Sequence, residues 1–128
     1  MIKNVLIVAA DDSLREVLAR ILQEMKMGSM ATDNCDEGLR RVLAQGNLPA
    51  GDPSKIDLVI ADLMYNKSGK EMVKSIQGSG IKIPTILMTA EPGHVAEALR
   101  KELGVPVLLK PFMIMPLYDA ILMAVSGP

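Results

Sequence analysis

Short apolar segments alternate along the chain with segments whose apolar residues recur at helical spacing. Two of the apolar segments, Val5–Val8 and Leu58–Ala61, are uninterrupted. A continuous apolar run is typical of a parallel strand that is buried on both faces. Three further strands are predicted, the first of them weak and the second beginning late because Pro84 stands near its start. They are Ser29–Thr32, Ile81–Thr89 and Val105–Leu109.

The segment after the first strand is predicted to form an amphipathic helix. Ser13 and Glu16 have the spacing of a capping box at a helix start, and Gly28 is expected to end the helix. Arg15 falls on the polar face. The apolar stripe comprises Leu14, Val17, Leu18, Ile21, Leu22 and Met25.

Helical segments also follow the other strands. A short stripe around Val42 predicts a second helix, and Ala44–Lys55 is predicted to be a long loop because it contains two glycines and two prolines. Later helices are predicted over 70–77 and over 94–103, the latter closed by Gly104. The last helix is predicted to begin at Pro116, since proline is favoured at the first helical position.

This alternation of strands and helices predicts the fold class. Strands that alternate with helices form parallel sheets with right-handed crossovers. We therefore predict an α/β, flavodoxin-like, doubly wound sheet of five parallel strands in the order 2-1-3-4-5, with helices on both faces. The 128 residues suit a single domain that spans 1–128.

Polar side chains stand where the central strands end. Asp11 and Asp12 follow the first strand, Asp62 the third, Thr89 the fourth and Lys110 the fifth. In sheets of this kind, ligands and chemistry gather at the carboxyl ends of the strands. We expect these carboxylates, the hydroxyl and the ammonium to converge on one rim of the sheet.

The composition excludes several classes of function. A net charge of −1 and a pI near 5.8 give no electrostatic reason to bind nucleic acid or an anionic membrane. The single cysteine, Cys35, cannot form an internal disulfide. The first residues form neither a signal peptide nor a membrane span, so we expect a cytoplasmic protein.

Taken together, the motifs resemble the receiver domain of response regulators, the phosphoacceptor module of two-component signalling (CheY-like). The resemblance rests on Asp-Leu-Val-Ile-Ala-Asp62-Leu-Met, Ile-Leu-Met-Thr89-Ala and Leu-Leu-Lys110-Pro-Phe, together with Ser13-Leu-Arg-Glu at the first helix. Each motif alone is weak, but their order and spacing across the whole chain are those of receivers.

The resemblance implies roles for these residues. Asp62 would be phosphorylated by a histidine kinase or a phosphotransfer protein, Lys110 would pair with the phosphoryl oxygens, and Thr89 would hydrogen-bond one of them. Mg²⁺ would be held by Asp62 and by the backbone carbonyl of Met64. Such a module is a phosphoacceptor rather than an enzyme, catalysing at most its own phosphorylation and dephosphorylation. It signals to a downstream protein by a conformational change.

The sequence also departs from the receiver pattern. Without gaps, Ala9 and Ala10 occupy the positions of the two acids that normally hold the metal. Asp11 is the better placed of the two following acids to replace them, although a two-residue displacement moves a side chain by more than about 6 Å. Val107 stands where receivers usually carry an aromatic residue that moves on activation.

These departures leave alternatives to a phosphorylated receiver. One is an atypical receiver with a degenerate acidic pocket, which acts as a protein-interaction module whatever its phosphorylation state. Another is a flavodoxin-like cofactor binder, but that class would require a phosphate-binding loop rich in Ser, Thr and Gly after the first strand. The segment Ala9–Ser13 supplies negative charge there instead.

Overall fold

The computed structural model contains a parallel sheet with helices on both faces. It describes residues 4–45, 48–49, 51–64, 68–110 and 114–125. Within these ranges, five strands lie in the order β2-β1-β3-β4-β5, which confirms the predicted fold class and strand order. The strands are β1 (Asn4–Val8), β2 (Gly28–Thr32), β3 (Leu58–Asp62), β4 (Thr85–Thr89) and β5 (Val107–Leu109). The helices are α1 (Asp12–Glu24), α2 (Cys35–Leu43), α3 (Ser68–Gly78), α4 (Gly93–Leu103) and α5 (Ile114–Val125).

Two apolar clusters hold the helices against the sheet. One cluster joins one face of the strands to α2, α3 and α4, and the other joins the opposite face to α1 and α5. Successive strand residues alternate between the clusters, as the pleat requires. All of β3 and β4 is buried, because helices cover both faces of these central strands. Over the described parts of the chain, no helix is long and apolar enough to cross a membrane.

The boundaries of α1 differ from those predicted. Asp11, not Ser13, is the N-cap residue, and its Oδ1 accepts a hydrogen bond from the backbone N–H of Leu14 at 3.1 Å. The helix ends at Glu24, and Lys26 reverses the chain with a φ of 66°. Gly28 therefore does not end the helix but begins β2.

Other boundaries also shift by a few residues. β4 begins at Thr85, directly after Pro84, which confirms the late start of this strand. Gly104 closes α4 with a left-handed φ of 68°. Pro116 is not the first helical residue, because α5 already includes Ile114. Val17 is another error, since half of it is exposed on the outer side of α1.

The N-cap assignment can be tested by stability. Asp11→Ala removes the acceptor for the Leu14 N–H and is expected to lower the free energy of unfolding by about 1 kcal/mol. Ser13→Ala is the matched control and is expected to change the free energy of unfolding by less than about 0.5 kcal/mol. Urea unfolding followed by circular dichroism measures both, and a larger loss for the Ser13 variant would contradict the assignment.

Candidate functional site

Asp62 lies at the carboxyl end of β3 and lines an open cavity of about 630 Å³. The residue is nearly buried, with 12% of its side chain exposed, so that one edge of the carboxylate reaches solvent. A carboxylate in this setting can be approached from outside while its neighbours are held by the sheet. The cavity is lined by Asp62, Leu63, Met64, Thr89, Ala90, Glu91 and Lys110.

Lys110 forms an ion pair with Asp62. Its Nζ lies 2.8 Å from Oδ1 of Asp62, within hydrogen-bonding distance. The residue directly follows β5, and its backbone N–H donates to the carbonyl of Thr89 at 2.8 Å, which continues the sheet ladder by one residue. The fifth strand therefore aims an ammonium group at the end of the third strand, as the strand-end argument predicts.

Thr89, the last residue of β4, lies in the same cavity and is almost completely buried. Its Oγ1 accepts a hydrogen bond from the backbone N–H of Glu91 at 3.0 Å. A hydroxyl that accepts in this way still has its own hydrogen to donate. The structure thus brings together the three predicted site residues, Asp62, Thr89 and Lys110.

The loop after Asp62 approaches the first turn of α3. The Leu63 N–H donates to the carbonyl of Met88 at 2.7 Å, and the Gly69 N–H donates to the carbonyl of Leu63 at 3.0 Å. Met64 has a φ of 69°, a left-handed conformation that costs a non-glycine residue about 1–2 kcal/mol. The strained residue is the one whose carbonyl the receiver resemblance implies as a metal ligand.

The acids that follow β1 do not join this site. The Asp11 carboxylate caps α1, and the Asp12 carboxylate forms an ion pair with Arg15. Within the described ranges, no three His, Cys, Asp or Glu side chains are grouped so as to hold a metal ion. The described residues therefore fit a magnesium site poorly, and the Asp11 carboxylate is engaged at the start of α1.

Met64 also lines a second cavity, of about 410 Å³. Cys35, the first residue of α2, lines it together with Ser68 and the turn before α2. Burial raises the pKa of the Cys35 thiol, and a hydrogen bond with Ser68 partly opposes this effect. The thiol is therefore protonated at neutral pH.

Helix α4 is tied to β5 and to α3 by charged side chains. The Arg100 guanidinium donates from Nε and Nη2 to the carbonyl of Val107, at 3.1 and 2.6 Å. Glu102 lies 3.0 Å from the ammonium groups of both Lys70 and Lys74 on α3. These lysines lower the pKa of Glu102. Polar contacts thus hold α4 beside β5. This strand carries Val107 at the position where receivers usually have an aromatic residue.

Sequence reasoning missed two groups near the site. Arg15 was placed on the solvent face of α1, yet only 22% of its side chain is exposed and it donates to backbone carbonyls after β1. Glu91 lines the Asp62 cavity. Its position two residues after Thr89, beyond a strand end, was the available signal.

The architecture is shared with several solved response regulator receiver domains. A response regulator receiver protein from Pseudomonas putida is 24% identical, with a TM-score of 0.74 over 94% of this chain and 96% of that one. The chemotaxis response regulator CheY4 of Vibrio cholerae is 23% identical, with a TM-score of 0.74 over 97% and 99% of the two chains.

A third structure gives the same result at lower identity. The signal receiver domain of an HD domain-containing protein from Pseudomonas fluorescens is 18% identical, with a TM-score of 0.79 over 98% of this chain and 88% of that one. No protein-family model matches the sequence, and no curated protein matches it significantly. At these identities the likeness defines the fold, and the function has to be argued from the site.

Proposed function

We propose that this chain is a two-component receiver in which Asp62 accepts a phosphoryl group. The observation that carries the proposal is the Lys110–Asp62 ion pair of 2.8 Å in the lining of an open cavity, on a fold shared with receivers. A structural ion pair needs no access from solvent. Here the cavity leaves room beside the carboxylate for a group as large as phosphate.

The chemistry needs few parts. An oxygen of the Asp62 carboxylate attacks the phosphorus atom, the bond from phosphorus to the leaving group breaks, and the leaving group departs with the electron pair and takes up a proton. Catalysis of such a transfer is mainly positioning and neutralisation of the charge on the phosphoryl oxygens. Lys110 is already at the carboxylate and supplies a fixed positive charge for those oxygens.

Thr89 provides a route from phosphorylation to the surface. Its hydroxyl would donate to a phosphoryl oxygen on Asp62, and a turn of the side chain toward that oxygen would weaken its hydrogen bond from Glu91. Glu91 lies two residues before α4, whose N-cap Pro92 makes no side-chain capping bond. The loop before α4 is therefore the element whose position the modification would bias.

The proposal also defines the kinds of partner. The phosphoryl group would come from a histidine kinase or a phosphotransfer protein in the cytoplasm, and the changed surface around α4 would be read by a downstream protein. The chain itself would be a signalling module rather than an enzyme. Neither its net charge nor its scarce aromatic residues suggest nucleic acid as the target of this domain.

Intact-mass analysis after incubation with a small phosphodonor tests the proposal directly. We expect the wild-type chain to gain the mass of one phosphoryl group and Asp62→Asn to gain none, because an amide is not a nucleophile for this reaction. Hydroxylamine should remove the adduct, since it cleaves acyl phosphates.

A matched control separates Asp62 from the other carboxylate of the cavity. Glu91→Gln removes an acid that lines the same cavity and is expected to leave the adduct in place. An adduct that persists in Asp62→Asn but disappears in Glu91→Gln would show that Glu91, and not Asp62, is phosphorylated, and would contradict the proposal. No adduct in the wild type under any condition would leave the phosphorylation-independent interaction module as the function to pursue.

A further inference from the structure

The corner between β1 and α1 is where the receiver resemblance implies a divalent cation. Mg²⁺ requires oxygen ligands in a nearly octahedral arrangement. Val8 pairs with Ala61, so the next residues, Ala9 and Asp62, are neighbours across the two strands. Ala9 is fully buried and packs in the apolar cluster on the α1 and α5 side. The position beside Asp62 therefore offers a methyl group where a metal site needs an oxygen.

The carboxylates that follow in the chain are used by α1. Asp11 accepts the Leu14 N–H at the start of the helix, where the helix dipole also favours its charge. Asp12 lies in the first turn and is paired with the Arg15 guanidinium. A metal ion at the Asp62 rim would have to compete with the cap and with the ion pair for these two ligands.

Arg15 also engages the backbone oxygens of this corner. Its Nη1 donates to the carbonyl of Ala9 at 2.6 Å and to the carbonyl of Ala10 at 3.1 Å. A guanidinium group keeps its positive charge at any pH that a protein tolerates. The oxygens exposed at the end of β1 are thus already bound to a permanent cation, and a second cation there would meet like charge.

We propose that the Asp62 site of the unphosphorylated protein does not bind a divalent cation. The Arg15 guanidinium holds the β1–α1 corner, and Lys110 is the counter-ion of the carboxylate. This inference deepens the proposed function by setting its metal requirement, but it concerns the unphosphorylated protein and can be tested without any phosphodonor. A failure of phosphorylation and a failure of this inference are therefore separate results.

Metal titration of the unphosphorylated chain provides the test. Mn²⁺ at millimolar concentration is expected to leave the amide signals around Asp62 unbroadened in NMR spectra, and Mg²⁺ is expected to leave the thermal midpoint unchanged. Selective broadening of the signals of residues 61–64 by Mn²⁺ in the wild type would overturn the inference, whatever the variants do.

Two double variants test whether Ala9 and Ala10 are the reason why the site does not bind a divalent cation. The double variant Ala9→Asp/Ala10→Asp is expected to bind Mn²⁺ at least about tenfold more tightly than the wild type and to gain thermal stability from Mg²⁺. Gln23→Glu/Ser75→Asp adds the same charge at exposed helix positions and is expected to gain neither. Equal gains in both would mean that charge alone, and not this corner, sets the affinity.

The role of Arg15 has its own variant. Arg15→Ala is expected to shift the amide signals of residues 9–12 and to lower the thermal midpoint, and added Mg²⁺ is expected to restore neither. Unchanged signals over 9–12, or recovery of the midpoint with Mg²⁺, would contradict a corner held by the guanidinium. The wild-type Mn²⁺ experiment decides the metal question even if this variant does not fold.

Discussion

Replacing Gly69 by alanine is expected to lower the free energy of unfolding by about 3 kcal/mol, because the new methyl group would collide with backbone. A Cβ at this position would lie 2.4 Å from the carbonyl oxygen of Asp62 and 2.8 Å from the Cα of Leu63. Backbone atoms cannot rotate away as a side chain can. Either the start of α3 must move away from the backbone of Asp62 and Leu63, or this backbone must move.

Alanine substitutions at two other glycines are expected to change stability by different amounts, and they give a series for comparison with Gly69→Ala. Gly78 ends the same helix, and a Cβ there meets nothing within 4 Å, so Gly78→Ala is expected to stabilise the protein by about 0.5 kcal/mol. At Gly38 a Cβ would lie 2.8 Å from Cγ2 of Val8. That contact is with a side chain, and we expect a loss of about 1–2 kcal/mol.

Chemical unfolding of the three variants, followed by circular dichroism, gives the order of their stabilities directly. Gly69→Ala should be the least stable and Gly78→Ala the most stable. The amide signals of Asp62 and Leu63 should shift in the Gly69 variant and remain in place in the Gly78 variant. Equal stability of these two variants would mean that α3 does not approach the backbone of Asp62 and Leu63 as closely as the structure indicates.

The fold was predictable because each of its rules is local. Short continuous apolar runs such as Leu58–Ala61 are typical of strands that are covered on both faces, and their alternation with helices favours parallel pairing and right-handed crossovers. The errors in element boundaries lie at helix ends. Asp11, Asp12 and Ser13 are all good N-cap residues within one turn. Their sequence alone does not decide which of them turns the chain into the helix.

The site was predictable to the extent that strand ends define it. Asp62 and Lys110 meet because β3 and β5 end on the same rim, each one strand from β4. Arg15 escaped prediction because a charged residue on the outer side of a helix usually faces solvent. Its engagement with the Ala9 carbonyl depends on how the β1–α1 loop turns, which is a property of the tertiary structure rather than of any spacing.

Lys110→Met is expected to slow phosphorylation of Asp62 by a small phosphodonor by a factor on the order of 10²–10³, the usual cost of removing one preorganised charge. The ammonium lies 2.8 Å from the carboxylate before any phosphoryl group arrives, so its contribution requires no rearrangement. Lys82→Met is the matched control, since Lys82 is exposed and lines a different cavity. Its rate should equal that of the wild type.

The same ion pair predicts that Lys110→Met destabilises the protein more than Asp62→Asn does. Lys110→Met leaves a nearly buried carboxylate without its counter-ion and is expected to lower the free energy of unfolding by about 2 kcal/mol. Asp62→Asn leaves only a lysine that can turn toward solvent, because 27% of its side chain is already exposed, and should cost about 1 kcal/mol or less.

A double-mutant cycle separates the pair from its surroundings. The Asp62→Asn/Lys110→Met variant is expected to be more stable than Lys110→Met alone, with a coupling energy of about 2 kcal/mol, because the second change removes the uncompensated charge. Additive losses would mean that the two side chains do not share an interaction in solution. In that case Lys110 would not be held at the carboxylate before reaction, and its effect on the phosphorylation rate would have to arise after the phosphodonor binds.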